Sequence, residues 1–155
     1  IYAHADVLVV GGGAAGLAAA YGAGQRGARV LLLEDGPRLG GALLWQRQRV
    51  DSMAGHEWAA KMATELAAMP NVTVLTRTTA TGYFDHNYIV ALERLTDHLP
   101  AAQRDKRVRA RLWRIRARHV ILATGAIERP LVFADNDRPG IMTANAVRRY
   151  LNQYG

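Results

Sequence analysis

The sequence predicts a doubly wound α/β fold: a parallel sheet flanked by helices, with an antiparallel β-meander inserted before the last strand. Three observations predict it. Residues 6–34 read as strand, glycine turn, helix and strand. A short apolar run, His119-Val-Ile-Leu-Ala123, ends in Thr124-Gly125. Between these, from about residue 79 to residue 118, lie segments of alternating polar and apolar character.

Each element follows from local pattern. Asp6-Val-Leu-Val-Val10 is apolar, β-branched and closed by glycine, the signature of a buried parallel strand. Gly11 to Gly16 is a turn. Leu17 to Gly27 is rich in alanine, a helix able to lie close to a sheet, and Gly27 stops it as a C′ glycine. Arg29-Val-Leu-Leu-Leu33 is a second buried strand closed by Glu34-Asp35, which completes a β–α–β unit. Leu39 to Leu44 is a second glycine turn. Gly55 to Met69 is a helix with Trp58, Met62, Leu66 and Met69 on one face, ended by Pro70-Asn71, and Val72-Thr-Val-Leu75 is a third strand. Thr79–Tyr83, Tyr88–Thr96 and Arg109–Arg116 form the meander, a flap on one side of the parallel sheet. His119–Ala123 is the next parallel strand. Arg138-Pro-Gly140 is a turn, and Thr143 caps a last helix to Asn152.

Composition bounds the function. A chain of 155 residues, half apolar and 21% charged, is the size and balance of one folded domain. It has no cysteine, which excludes disulfides, thiolate zinc sites and cysteine-ligated iron–sulfur clusters within it. The apolar stretch Val7–Ala23 is interrupted by glycines and reads as strand, turn and helix, not as a membrane span or signal peptide. The net charge is +7, and Arg104–Arg118 carries all of it, with eight basic residues and one acid. That segment reads as the solvated face of a meander strand, with arginine stems covering apolar surface. Docking on an acidic partner is the alternative. Nucleic acid is disfavoured because no aromatic stacking platforms are interleaved.

Gly11-Gly-Gly13-Ala-Ala-Gly16 matches GxGxxG, and its position between a strand and a helix gives the motif its meaning. Gly11 permits the tight turn, Gly13 lets a diphosphate approach the backbone, and Gly16 lets helix and strand pack closely. The helix N-terminus supplies unpaired N–H groups and a positive dipole end to the phosphates, with Ala14, Ala15 and Gly16 as candidate binding residues in the turn that leads into it. Glu34 lies 18 residues after Gly16, placed to accept hydrogen bonds from ribose hydroxyls. It repels a 2′-phosphate, Asp35 reinforces that, and NADP is disfavoured although Arg38 is near. Gly40-Gly41 is a second close-approach turn. NAD and FAD share the AMP half, so these residues leave the choice between them open.

This ordered set resembles the two-dinucleotide-binding flavoprotein class, a Rossmann-like FAD/NAD(P)-binding fold. In that class a residue after the third strand meets the adenine through its backbone, here matched by Ala80, and an apolar strand ends in Ala-Thr-Gly, here Ala123-Thr124-Gly125. Longer stretches narrow the resemblance. Thr81-Gly-Tyr-Phe-Asp-His-Asn-Tyr88, Glu93-Arg-Leu-Thr-Asp-His98 and Ala123 through Gly140 look like the α subunits of heterotetrameric sarcosine oxidases, over essentially the whole chain. The resemblance implies a complex that oxidatively demethylates sarcosine to glycine and hydrogen peroxide, passing the one-carbon unit to tetrahydrofolate or releasing it as formaldehyde. It implies FAD in the β subunit, FMN near the α/β junction and NAD in the α subunit, around Ala15, Glu34, Asp35, Gly41, Ala42 and Ala80. It implies no catalytic residue in this chain. The implied partners are the other subunits, chiefly β, and the remainder of a longer chain of which residues 1–155 are expected to be a fragment. The expected setting is cytoplasmic, with neither membrane nor nucleic acid. Ala14 stands where such subunits often carry proline. Two other readings stay open: an FAD-binding half of a different oxidoreductase, and an interaction module that has lost its cofactor.

The remaining polar clusters read as structural. Asp85-His86 and Asp97-His98 lack the spacing of a ligand pair and have no third ligand, so turn and meander contacts are expected. Arg129 or Arg138 is expected in a local ion pair that fixes its loop. Ser52 is the only serine, which leaves no Ser/His/Asp arrangement, and Trp45, Trp58 and Trp113 read as packing residues.

Overall fold

The computed structural model describes residues 1–104 and 107–155; Asp105 and Lys106, within the basic segment, lie outside the described residues. The elements run β1 (Tyr2–Val10), α1 (Ala14–Gln25), β2 (Val30–Leu33), a 3-10 turn (Gly41–Leu44), β3 (Arg49–Val50), β4 (Met53–Ala54), α2 (Gly55–Ala68), β5 (Val72–Leu75), β6 (Thr78–Phe84), β7 (Tyr88–Arg94), α3 (Ala101–Arg104), β8 (Ala110–Leu122) and α4 (Ala144–Arg149), which runs into a π-helical turn (Tyr150–Tyr154). One six-stranded sheet has the order β5-β2-β1-β8-β7-β6. The first four strands pair in parallel, and β8, β7 and β6 pair antiparallel. The predicted doubly wound sheet with its meander is therefore present.

Two predicted strands merge into one. The strands predicted at 109–116 and 119–123 fall on the two halves of one 13-residue strand, β8, Ala110–Leu122. Its first half pairs with β7 on one side and with the start of β1 on the other, and its second half pairs with β1 alone. The strand reads as two in sequence because its inward face slips by one residue. Trp113, Ile115 and Ala117 point into one core, and then Val120 does. β1 slips in the same place, from Ala3 and Ala5 to Leu8 and Val10. At this kink the N–H groups of Asp6 and Val7 both donate to the Arg29 carbonyl, at 2.9 and 3.2 Å. The Asp6 carboxylate accepts from the Arg29 N–H at 2.9 Å and from its guanidinium at 3.3 Å, with Arg118 at 3.8 Å. The Arg29 hydrogen bonds hold the Asp6 carboxyl below its usual range. The kink folds the meander over one face of the parallel strands.

Each face of the sheet has its own core. Leu8, Val10, Leu31 and Leu33 meet Ile89, Ala91, Ile115 and Ala117 under the meander. Val9, Val30 and Leu32 meet Leu17 and Ala20 of α1 and Ala59, Met62 and Leu66 of α2 on the helical face. All four residues of β2 are buried, which explains its unbroken apolar run. On α2 Ala59 takes the central place predicted for Trp58 and Met69, which pack at the rim. Gly24 lets α1 approach α2 and β5: a Cβ there would stand 2.8 Å from both Met69 Sδ and Val72 Cγ2.

Helix ends are set by identifiable bonds. α1 begins three residues earlier than predicted, because nothing in Ala14-Ala-Gly16 opposes the first turn. It ends in a Schellman motif: Gly27 N–H donates to Gly24 O at 3.0 Å, Ala28 N–H donates to Ala23 O at 3.2 Å, and Gly27 has φ +78°. Thr143 occupies the N-cap of α4, but its side chain makes no capping bond. Glu128 does so instead, accepting from the Asn145 N–H at 2.8 Å. The short β3–β4 hairpin and α3 lie outside the predicted elements; the hairpin turns at Asp51 and Ser52, both with positive φ, where no glycine signals it. The carboxyl ends of β1, β2 and β8 leave a crevice at one end of the sheet, the usual place for a ligand in an open α/β fold.

Candidate functional site

That crevice is a cleft of about 680 Å³. Its floor is the glycine turn after β1, and its walls are the end of β2, the 3-10 turn, the start of β6, the end of β8 and one side of the C-terminal helix. Gly11, Gly13, Ala14, Ala15, Glu34, Asp35, Gly41, Ala42, Ala80, Thr124 and Gly125 all line it. Gly16, predicted with them, does not. It sits within α1, where a Cβ would collide with the Gly11 carbonyl oxygen, so it acts through packing.

The glycines divide the work. Gly11, with φ +104°, turns the chain sharply under the end of β8, and a Cβ there would overlap the Ala123 carbonyl. Gly13 is the opposite case: its Cβ would meet nothing within 4 Å and would stand in the cleft. It is the N-cap of α1, makes no side-chain capping bond, and is followed by a first turn with no acidic side chain. The opening N–H groups of α1 are therefore free to receive an anion. The second turn is stacked on the first. Gly40 N–H donates to Gly12 O at 2.8 Å, and a Cβ on Gly41, where φ is +52°, would come 3.0 Å from Gly13 Cα. The second glycine turn predicted at Leu39–Leu44 is thus a 3-10 turn, Gly41–Leu44, clamped to the first.

Glu34 is only 8% exposed. Its Oε2 accepts the Gly12 N–H and its Oε1 accepts the Gly36 N–H, both at 2.7 Å. A carboxylate offers about four acceptor positions, so two remain for hydroxyl donors in the cleft. Burial pushes the Glu34 carboxyl up, and neighbouring Asp35 adds to this, against the two N–H donors that pull it down. Ala80 lies on β6, the edge strand of the sheet, next to a register shift between Ala80 and Gly82. Ala80 lines the cleft and also packs against the core under the meander.

Sequence reasoning missed several lining residues. Gly12 was legible as the second glycine of the motif; a Cβ there would stand 2.9 Å from Glu34 Oε2. Thr78, Thr79, Trp45 and Gln46 line the walls. Arg149 and Gln153 reach the cleft from the C-terminal helix, which Asn152 anchors by donating to the Trp45 carbonyl at 2.8 Å. No local signal marks these two, because only tertiary packing brings them there.

The other candidates resolve into structural contacts. Asp97 lies 3.9 Å from Arg94 and 3.6 Å from His98. Arg138 pairs with Asp135 at 3.0 Å within its loop. Trp113 donates to Glu93 at 2.8 Å and Trp58 to Asp51 at 3.2 Å, each packed against a core. In the basic segment, Arg114 and Arg116 stand over the rings of Tyr2 and Tyr88. Among the described residues, no helix is long and apolar enough to cross a membrane, and no three His, Cys, Asp or Glu side chains gather as a metal site.

A glycine turn at the carboxyl end of the first strand, an uncapped helix and a buried acid after the second strand define a dinucleotide-binding oxidoreductase domain. The chain belongs to the pyridine nucleotide-disulphide oxidoreductase family, whose pattern it matches over residues 5–154. It is 51% identical over 154 residues to the sarcosine oxidase α subunit of Rhizobium meliloti (strain 1021), covering 99% of this chain. It is 51% identical over 156 residues to that of Corynebacterium sp. (strain P-1), covering 100% of this chain. It spans 16% of the length of each. Among solved structures it resembles L-proline dehydrogenase from P. horikoshii, with a TM-score of 0.74, 27% identity, 97% of this chain covered and 28% of that one. The expected resemblance to sarcosine oxidase α subunits therefore holds along the whole chain.

Proposed function

We propose that residues 1–155 form the NAD-binding unit of the α subunit of a sarcosine oxidase-like, multi-flavin amine oxidase. The open position above Gly13, beside the uncapped start of α1, carries the binding reading. The diphosphate lies across Gly11, Gly13, Ala14 and Ala15, with Gly16 holding the helix in place beneath. Glu34 takes the ribose hydroxyls through its remaining lone pairs, and Asp35 excludes a 2′-phosphate. Ala80 meets the adenine through its backbone, and Gly41, Ala42, Thr124 and Gly125 close around the distal half. Identity of 51% to α subunits along nearly the whole chain supports the subunit assignment.

In this reading the complex oxidatively demethylates sarcosine in the cytoplasm. FAD and FMN reside elsewhere in the assembly, chiefly with the β subunit, and this chain contributes no catalytic residue. Its partners are those subunits and the rest of its own chain. FAD at the same cleft is the second reading, since the AMP half fits both cofactors and the family match is compatible with either.

The test is to denature the purified protein and identify the released small molecule by mass spectrometry. NAD supports the proposal. FAD, visible beforehand as flavin colour, moves it to the second reading. No dinucleotide, and no binding of added NAD or FAD, overturns both.

A further inference from the structure

We infer that Arg149 is a second anchor for the diphosphate of the dinucleotide, opposite the glycine turn; this rests on the dinucleotide reading of the cleft. Arg149 lines the cleft, and among the described residues its guanidinium has no acidic partner. Its contacts are Gln153 Oε1, which accepts from Nε at 3.1 Å, and the Tyr154 ring at 6.0 Å. Both neighbours orient the group and neither neutralises it.

The wall it stands on is tied to the 3-10 turn. Asn152, one helical turn further along, donates to the Trp45 carbonyl. Trp45 ends the 3-10 turn, and Gly41 at the start of that turn rests on Gly13. The path from Arg149 thus leads to the phosphate loop. The other cleft-lining guanidinium, Arg38, follows Glu34 and Asp35 at the ribose end. The cleft therefore has an acidic pole for hydroxyls with Arg38 beside it and, on the wall tied to the 3-10 turn, a second cation without an acidic partner among the described residues. A diphosphate carries charge that the α1 N-terminus alone meets only with a partial dipole. A guanidinium adds a full charge and a planar donor pair suited to phosphate oxygens.

The experiment is calorimetric titration of the protein, stripped of retained nucleotide, with NAD, ADP and adenosine. ADP is the moiety common to NAD and FAD, so the result does not depend on which is native. Arg149→Ala should weaken NAD and ADP about tenfold, the scale of one charge-assisted hydrogen bond, and leave adenosine unchanged. Arg149→Lys should restore part of the loss, because it keeps the charge but not the fork. Arg148→Ala, outside the lining, should bind as the parent does. Unchanged ADP affinity in Arg149→Ala, or an equal loss for adenosine, overturns the inference while leaving the dinucleotide reading intact. A parent protein that binds none of the three overturns that reading and this inference with it.

Discussion

At Gly13 and Gly16 the same missing Cβ has opposite consequences. A side chain at Gly13 enters open space, and the backbone there, at φ −75° and ψ −172°, suits valine. Gly13→Val should cost about 1 kcal/mol, because valine is a poorer N-cap than glycine, and lose dinucleotide binding. Gly16→Ala drives a methyl into the Gly11 carbonyl and should cost about 1–3 kcal/mol or more. Thermal melts and titrations of both variants separate the roles; a Gly13→Val protein that still binds NAD at parental affinity refutes the diphosphate path. Glu34 adds a pH dependence. Its folded carboxyl is raised above the ordinary value of about 4.5 by burial. Between those two values the folded state holds the proton more often than the unfolded chain, so stability falls as pH rises through that window. Ribose hydroxyls donate to the ionised form, so NAD affinity should weaken as pH falls into the same window. Glu34→Gln keeps one of the two backbone bonds and should lose about 1–3 kcal/mol, but its stability should no longer slope with pH there. Denaturant titrations across mildly acidic pH read that slope, and an identical slope in Glu34→Gln rejects Glu34 as its source.

At the scale of elements, what was legible depended on how local the cause is. The β1–α1–β2 unit, the Gly27 stop and the span of α2 follow from periodicity and turn residues within a few positions. β8 defied that reading because its phase slip at Arg118 has the same written form as a loop between two strands; the partner at the slip is Asp6, more than a hundred residues away, which contacts Arg29 and Arg118 there. The start of α4 is equally non-local. Thr143 has the right chemistry and position for a cap, yet Glu128, 17 residues before the Asn145 whose N–H it accepts, makes the bond. Glu128→Ala should destabilise the start of α4 by about 0.5–2 kcal/mol, seen as faster amide exchange at Ala144–Val147. Thr143→Val should leave exchange there nearly unchanged. The reverse ranking would return the capping role to Thr143.

At the scale of the whole molecule, the cleft joins pieces that only folding brings together: the turn after β1, the end of β2, the 3-10 turn, the start of β6, the end of β8 and the C-terminal helix. The sequence pointed to most of the floor because a glycine motif is written contiguously, and it missed the wall carrying Arg149 and Gln153 because that wall is held by bonds distant in sequence, such as Asn152 to Trp45. A ligand lying across all these pieces acts as a staple. Any molecule that binds only the folded state stabilises it by mass action, by about 2.7 kcal/mol at a hundredfold excess over Kd. For a domain of this size each kcal/mol raises Tm by roughly 2–4 °C, so saturating NAD should raise it by about 5–10 °C. Amide protection should then appear together at 11–15, 34–36, 41–46, 78–80, 123–126 and 149–153, because one molecule touches all of them. Protection limited to the glycine turn would reduce the site to an anion-binding loop, and protection absent from 149–153 would detach the C-terminal helix from it.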